Sequence, residues 1–107
     1  MAIKHAESGE VIDIRPLGEN LKDTTTHALT KTDHLELIRM VLPAGKEIRE
    51  HSAPQEITVH CIEGAIDIHC HGTTRRLEGG QMLFLDAEEP HSLRAVEDSS
   101  LLVTMVL

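Results

Sequence analysis

The chain has 107 residues, of which 40% are hydrophobic and 26% charged, a composition that indicates a globular domain and excludes a disordered or fibrous protein. Its formal net charge is -8 and Phe84 is its one aromatic residue, so it lacks the basic surface and stacking rings of a nucleic-acid-binding protein. No apolar stretch approaches the roughly 18 residues of a membrane helix, and residues 1–10 have no apolar signal core, which predicts a cytoplasmic protein without a membrane partner.

The chain is divided into short runs rich in Val, Ile and Leu, separated by Gly, Pro, Asp or Ser. Such runs predict β-strands, here at residues 11–14, 35–42, 57–62, 65–69, 81–85, 93–96 and 101–107. Helical periodicity is weak, and only residues 19–26 suggest a single turn. We therefore predict an all-β sandwich or barrel in one domain.

Residues 57–71 predict a β-hairpin, because Glu63-Gly64 has the pattern of a two-residue turn in which glycine supplies a positive φ. This register places Ile62 opposite Ala65 and His60 opposite Asp67. Alternation then makes one face of the two strands wholly apolar, and we assign this face to the core: Ile57, Val59, Cys61, Ile66, Ile68 and Cys70.

Cys61 and Cys70 are the only cysteines. In the hairpin register they lie four cross-strand steps apart, which at ~3.3 Å per residue separates their Cα atoms by more than ~10 Å. A disulfide requires less than ~7 Å, so we expect two free thiols.

Two glycine-to-histidine spacings stand among these strands, Gly45-x5-His51 and Gly80-x10-His91, with Gly64 between them. Their order resembles the two motifs of the cupins, G-x5-H-x-H-x3/4-E-x6-G and G-x5-P-x-G-x2-H-x3-N. The resemblance implies a cupin-type double-stranded β-helix, or jelly-roll barrel, around a ligand cavity. It covers residues 35–107, with residues 1–34 adding N-terminal strands and turns to a single domain of residues 1–107.

The chain departs from the cupin motifs at several positions. Ala53 stands where the second histidine is expected and Ile57 where the glutamate is expected. The second motif has Asp86, Glu88 and Ala95 in place of its proline, glycine and asparagine. Two of the four ligands that the resemblance implies for a metal are therefore missing.

His51 and His91 remain, and we expect both imidazoles to point into one cavity. A divalent transition metal (Fe, Mn, Ni or Zn) would need a third ligand, for which Glu56 and Gln55 are the candidates. In a regular strand the side chain of Glu56 would point away from the cavity, so Glu56 could bind a metal only if a β-bulge turned it inward. The side chain of Gln55 would point inward, but it offers only a neutral amide oxygen.

Two function classes follow. One is a cupin barrel that binds a small molecule without catalysis, in a cavity that we predict to be lined by Met40, Ile57, Val59, Cys61, Ile66 and Ile68. The other is a mononuclear metal-dependent enzyme of dioxygenase or isomerase type that uses His51 and His91. We assign His60, His69 and His71 to the surface, on the polar face of the hairpin.

A homodimer is also expected. Both faces of the strands predicted at residues 101–107 and 35–42 are apolar for most of their length. A barrel wall with solvent on its outer side needs only one apolar face, so a second chain is expected to cover the other. The resemblance to the cupins implies the same, since small cupins commonly pair through their sheets.

Overall fold

The computed structural model describes residues 4–107 and contains one short 3-10 helix, Gly18–Asp23, and β-strands. The strands in chain order are β1 His27–Lys31, β2 Leu35–Leu42, β3 Glu47–His51, β4 Ile57–Glu63, β5 Ala65–Cys70, β6 Thr73–Glu78, β7 Gln81–Leu85, β8 His91–Ala95 and β9 Ser99–Val106. No helix within these residues is long and apolar enough to cross a membrane.

The strands form two antiparallel sheets with the core between them. One sheet has the order β1-β2-β9-β4-β7 and the other β3-β8-β5-β6. Sequential strands repeatedly fall in different sheets, which is the winding of a jelly roll. The predicted all-β cupin-type fold is confirmed.

Most of the predicted strands are present, but one is wrong. Residues 11–14 form no strand, and Val11 is 96% exposed. The predictions missed β1, β3 and β6. The last two carry mostly charged or hydroxyl side chains, which hide the apolar alternation of a strand.

The predicted hairpin is also wrong. β4 pairs with β7 and β9, whereas β5 pairs with β6 and β8 in the opposite sheet. Gly64 is thus a corner at which the chain crosses between sheets, so His60 is not opposite Asp67. Arg76 takes that place and forms an ion pair with Asp67, which lowers the pKa of the carboxyl group.

The predicted core face is nevertheless correct. The same side chains point inward on both strands whether the chain turns at a corner or in a hairpin. All six of its residues are buried between the sheets: Ile57, Val59, Cys61, Ile66, Ile68 and Cys70. Cys61 and Cys70 are free thiols, as expected, and burial raises the pKa of Cys61.

Residues 13–18, here called the N-terminal segment, cover part of the outer face of the five-stranded sheet. Arg39 of β2 is only 3% exposed beneath this segment and donates to the Arg15 carbonyl oxygen at 2.6 Å. The Glu63 carboxylate lies 3.7 Å from the Arg39 guanidinium and accepts the backbone N–H groups of Leu17 and Gly18. One buried ion pair therefore attaches the segment to the sheet.

The Gly64 corner permits no side chain. Its φ is +86°, and an added Cβ would overlap the Asp98 carbonyl oxygen and the Ser99 side chain. We predict that Gly64→Ala lowers the free energy of unfolding by about 2–5 kcal/mol, through left-handed strain plus overpacking. Gly45→Ala is the matched control, because its φ is +88° but nothing lies within 4 Å of the added Cβ, so it should cost only about 1–2 kcal/mol. Equal losses in urea unfolding would contradict the steric role of the corner.

Glu63 should contribute to the pH dependence of stability. Burial alone raises the pKa of Glu63, but hydrogen bonds from Ser100, Leu17 and Gly18 and the charge of Arg39 outweigh it, so the net pKa is lowered. A lowered carboxyl pKa stabilises the fold above the ordinary value of about 4.3, and this contribution is lost as pH falls through the folded pKa.

We therefore predict that Glu63→Gln costs about 1.5–3 kcal/mol at pH 7, and that the difference from wild type narrows below about pH 4.3. Urea unfolding from pH 7 to 3 measures it, with Glu50→Gln at an exposed position of β3 as the control. A difference that stays constant across this range would show that the charge of Glu63 is not what stabilises the segment.

Candidate functional site

A cavity of about 220 Å³ lies between the two sheets near one end of β3 and β8. Apolar side chains from both sheets form most of its wall, and its polar residues are two histidines and a serine. The lining residues are Ile38, Met40, Ile48, His51, Ser52, Ala53, Pro54, Ile57, Val59, His91, Leu93, Val103 and Met105.

A β-bulge brings His51 to this cavity. In the pairing of β3 with β8, Ile48 lies opposite Leu93 and His51 opposite His91, so β3 advances three residues while β8 advances two. In a regular strand, Ile48 and His51 would point to opposite faces. The extra residue restores the phase, so that both residues line the cavity.

The two histidines are direct cross-strand neighbours. Their ring centroids are 4.3 Å apart and their planes are tilted by 59°. His91 is only 3% exposed, whereas His51 lies at the exposed end of its strand. The structure therefore brings together, at one cavity, the two histidines that the sequence singled out.

Backbone carbonyl groups orient both rings. Nδ1 of His51 lies 2.9 Å from the Arg49 carbonyl oxygen, and Nδ1 of His91 lies 2.9 Å from the Glu89 carbonyl oxygen. A carbonyl oxygen can only accept, so each Nδ1 carries a proton and donates it. In the neutral rings, each Nε2 is then left with a lone pair.

The cavity wall has no formal charge, because none of its lining residues is Asp, Glu, Lys or Arg. This is notable in a chain of net charge -8. Buried ions without a compensating charge are costly, so the cavity suits an uncharged guest.

Three of the six residues predicted to line the cavity lie at its wall. Met40, Ile57 and Val59 line the cavity. Cys61, Ile66 and Ile68 do not, because they are 0% exposed in the close-packed core. Residues of β3 and β9 take their place, among them Ile48 and Met105, and only the apolar alternation of these strands could have indicated them.

Neither proposed third ligand reaches the cavity wall. Gln55 and Glu56 are exposed in the segment before β4, and β4 begins in regular register at Ile57, so no bulge turns Glu56 inward. Among residues 4–107, no three His, Cys, Asp or Glu side chains are grouped to hold a metal ion. Ala53 and Ile57 line the cavity where the cupin motif has ligands, so these residues do not fit the four-ligand metal site.

The other histidines of the predicted surface set lie away from the cavity. His69 and His71 are exposed; Nδ1 of His69 is 2.9 Å from the Thr74 hydroxyl, and Nδ1 of His71 is 3.4 Å from Glu89. His60 is half-buried on the outer face of the five-stranded sheet, opposite Met82 and Leu102.

A larger groove, of about 310 Å³, crosses the outer face of the four-stranded sheet. Its lining includes Arg49, Arg94, Glu47 and Asp67, which are solvated or paired with one another. The cavity, by contrast, brings two oriented imidazoles together at an apolar wall between the sheets. The cavity is therefore the stronger candidate site.

Several solved structures share the fold of this chain. A conserved protein of unknown function from Streptococcus pyogenes, SPY1581, is 26% identical, with a TM-score of 0.76 over 99% of this chain and 94% of that one. A cupin superfamily protein from Desulfitobacterium hafniense has a TM-score of 0.79 at 15% identity, over 95% of this chain and 99% of that one. KdgF from Halomonas sp. has a TM-score of 0.66 at 20% identity, over 74% and 73% of the two chains.

The sequence comparison gives the family. The family model described as a cupin domain matches residues 38–107, so this chain belongs to the cupin family. No curated protein matches it in sequence.

Proposed function

We propose that this cupin binds a small organic molecule in its internal cavity and performs no metal-dependent catalysis. The observation that carries the proposal is the pairing of His51 with the buried His91 at an otherwise apolar, uncharged wall. Apolar walls with a few converging polar groups are typical of small-molecule sites.

The energetics support an occupant. The Nε2 atoms of His51 and His91 are left as hydrogen-bond acceptors at an apolar wall. A guest that supplies a donor pairs with these acceptors and also covers the apolar wall. At about 220 Å³, the cavity suits a guest smaller than the ligands of pockets of ~300–1,000 Å³.

The second candidate is a metal-dependent enzyme, and the two Nε2 lone pairs are the observation that favours it. Two imidazoles with carbonyl-bound Nδ1–H groups resemble metal ligands with oriented rings. Fe, Mn, Ni or Zn would still need at least one more protein ligand, and a dication would lack a neutralising carboxylate at this wall. We therefore favour the first candidate, small-molecule binding without metal-dependent catalysis.

Benzene is a suitable probe of the cavity, because apolar cavities of this kind bind it. We predict saturable shifts of the Met40, Met105 and Ile48 methyl signals in ¹H–¹³C spectra as benzene is added. Ala53→Phe should abolish these shifts by filling the cavity, whereas Thr73→Ala, at an exposed position of β6, should leave them unchanged.

Methyl groups that stay unperturbed in the wild type would contradict the binding proposal. Metal analysis of the purified protein is the complementary measurement. A stoichiometric transition metal that is lost in both His51→Ala and His91→Ala would favour the enzyme instead.

We further propose that the protein is a cytoplasmic homodimer that pairs through the outer face of the five-stranded sheet. The two free thiols are what a reducing compartment maintains. Met82 and Phe84 of the edge strand β7 are 58% and 57% exposed on this face, and Val106 is 45% exposed. The row Phe84, Thr58, Thr104 and Leu37 crosses four strands without a formal charge.

An uncharged apolar face allows two chains of net charge -8 to approach without opposing carboxylates at the contact. We predict that light scattering at micromolar concentration gives twice the chain mass of 11.8 kDa, and that Phe84→Lys shifts it to the monomer. Thr73→Lys, an equal charge change on the other sheet, should leave the dimer intact. A wild-type mass of one chain would contradict this proposal.

A further inference from the structure

We propose that the guest of this cavity is an uncharged molecule whose apolar body ends in a group with two N–H or O–H donors, such as a primary carboxamide or a vicinal diol. This inference rests on the proposed function and specifies its ligand class. Three features of the site carry it: the tautomers of the two histidines, their separation and the absence of charge at the wall.

The tautomers make both rings acceptors. The Arg49 and Glu89 carbonyl oxygens each hold a protonated Nδ1, so His51 and His91 both present an Nε2 lone pair. A lone pair attracts a donor hydrogen and repels another acceptor. An ether or ketone oxygen is therefore the wrong complement for this pair.

The separation calls for two hydrogens from one group. With centroids 4.3 Å apart, the two rings face a shared space, and neither Nε2 can donate to the other in these tautomers. A single hydroxyl group has one hydrogen and satisfies one ring at a time. A carboxamide NH₂ group, or two adjacent hydroxyl groups, supplies a donor to each ring.

The absence of charged side chains from the cavity wall favours an uncharged guest. A carboxylate or phosphate would place its negative charge against two lone pairs, with no Lys or Arg in the lining. An ammonium ion would find acceptors but no carboxylate to neutralise it in an apolar cavity. An uncharged donor group avoids both costs, and the surrounding Ile, Met and Val side chains cover its apolar body.

Three probes of nearly equal shape test the inference: benzamide, acetophenone and benzoate. Acetophenone replaces the NH₂ group of benzamide with a methyl group, and benzoate replaces it with a charged oxygen. We expect benzamide to bind at least tenfold more tightly than either analogue, because two hydrogen bonds are lost in the analogues. Calorimetry gives the affinities, and the cavity methyl shifts confirm the location.

Variants of His51 test whether this ring causes the preference for benzamide, because His51 is exposed and lies outside the buried core. His51→Phe keeps a ring but removes the acceptor, and should lower the benzamide-to-acetophenone affinity ratio roughly 3–10-fold. His51→Gln offers an amide oxygen at similar reach and should retain most of the ratio. His69→Ala, at an exposed position outside the cavity, is the matched control.

Long-range ¹H–¹⁵N spectra test the tautomers without any ligand, and should show a protonated Nδ1 and an unprotonated Nε2 in both rings. A protonated Nε2 in either ring would overturn the inference. So would equal binding of benzamide and acetophenone, or tightest binding of benzoate. If benzene occupies the cavity but benzamide does not, the ligand class is wrong and the proposed function stands, whereas failure of benzene as well would refute both.

Discussion

The crossing of the chain at Gly64 is the constraint on which the rest of the architecture depends. A left-handed residue packed against Asp98 and Ser99 turns the chain out of one sheet and into the other, so that β4 and β5 face each other across the core. The buried Ser99 hydroxyl supports the corner by accepting the Ala65 N–H at 3.0 Å, and it shares its own hydrogen between the Glu97 and Ala65 carbonyl oxygens. Because both strands keep their inward phase, Val59 and Ile68 meet in one core.

The cavity depends on a second local irregularity, the bulge in β3. The bulge re-aims His51, and the carbonyl groups two residues before each histidine set the tautomers of the pair. The backbone carbonyl groups thus leave the Nε2 atom of each neutral ring as a hydrogen-bond acceptor. Ala53 and Ile57, at positions where cupin motifs have metal ligands, make the wall apolar around them. The family's barrel is retained while the chemistry of its interior differs.

The N-terminal segment covers one part of the outer face of the five-stranded sheet, and the part around strand β7 is exposed. Arg39 and Glu63 form a buried pair under the segment, whereas Met82 and Phe84 remain uncovered. Burial lowers the pKa of Arg39, and the carboxylate of Glu63 opposes that effect. The sheet therefore covers one part of its outer face with the N-terminal segment and leaves the part around Met82 and Phe84 exposed.

The sequence by itself determined the all-β class, most strand positions, the inward phase of β4 and β5, and the two histidines of the site. These features are local, because alternation depends only on which neighbouring residues are apolar. Only the tertiary structure decided that Gly64 is a corner, that β3 and β6 are strands, and that Cys61, Ile66 and Ile68 lie in solid core. The physical reason is that strand partners, bulges and cavities depend on contacts between distant residues, which periodicity does not encode. The orientation of His51 shows the difference, since one extra residue in β3, defined only by its pairing with β8, reversed its face.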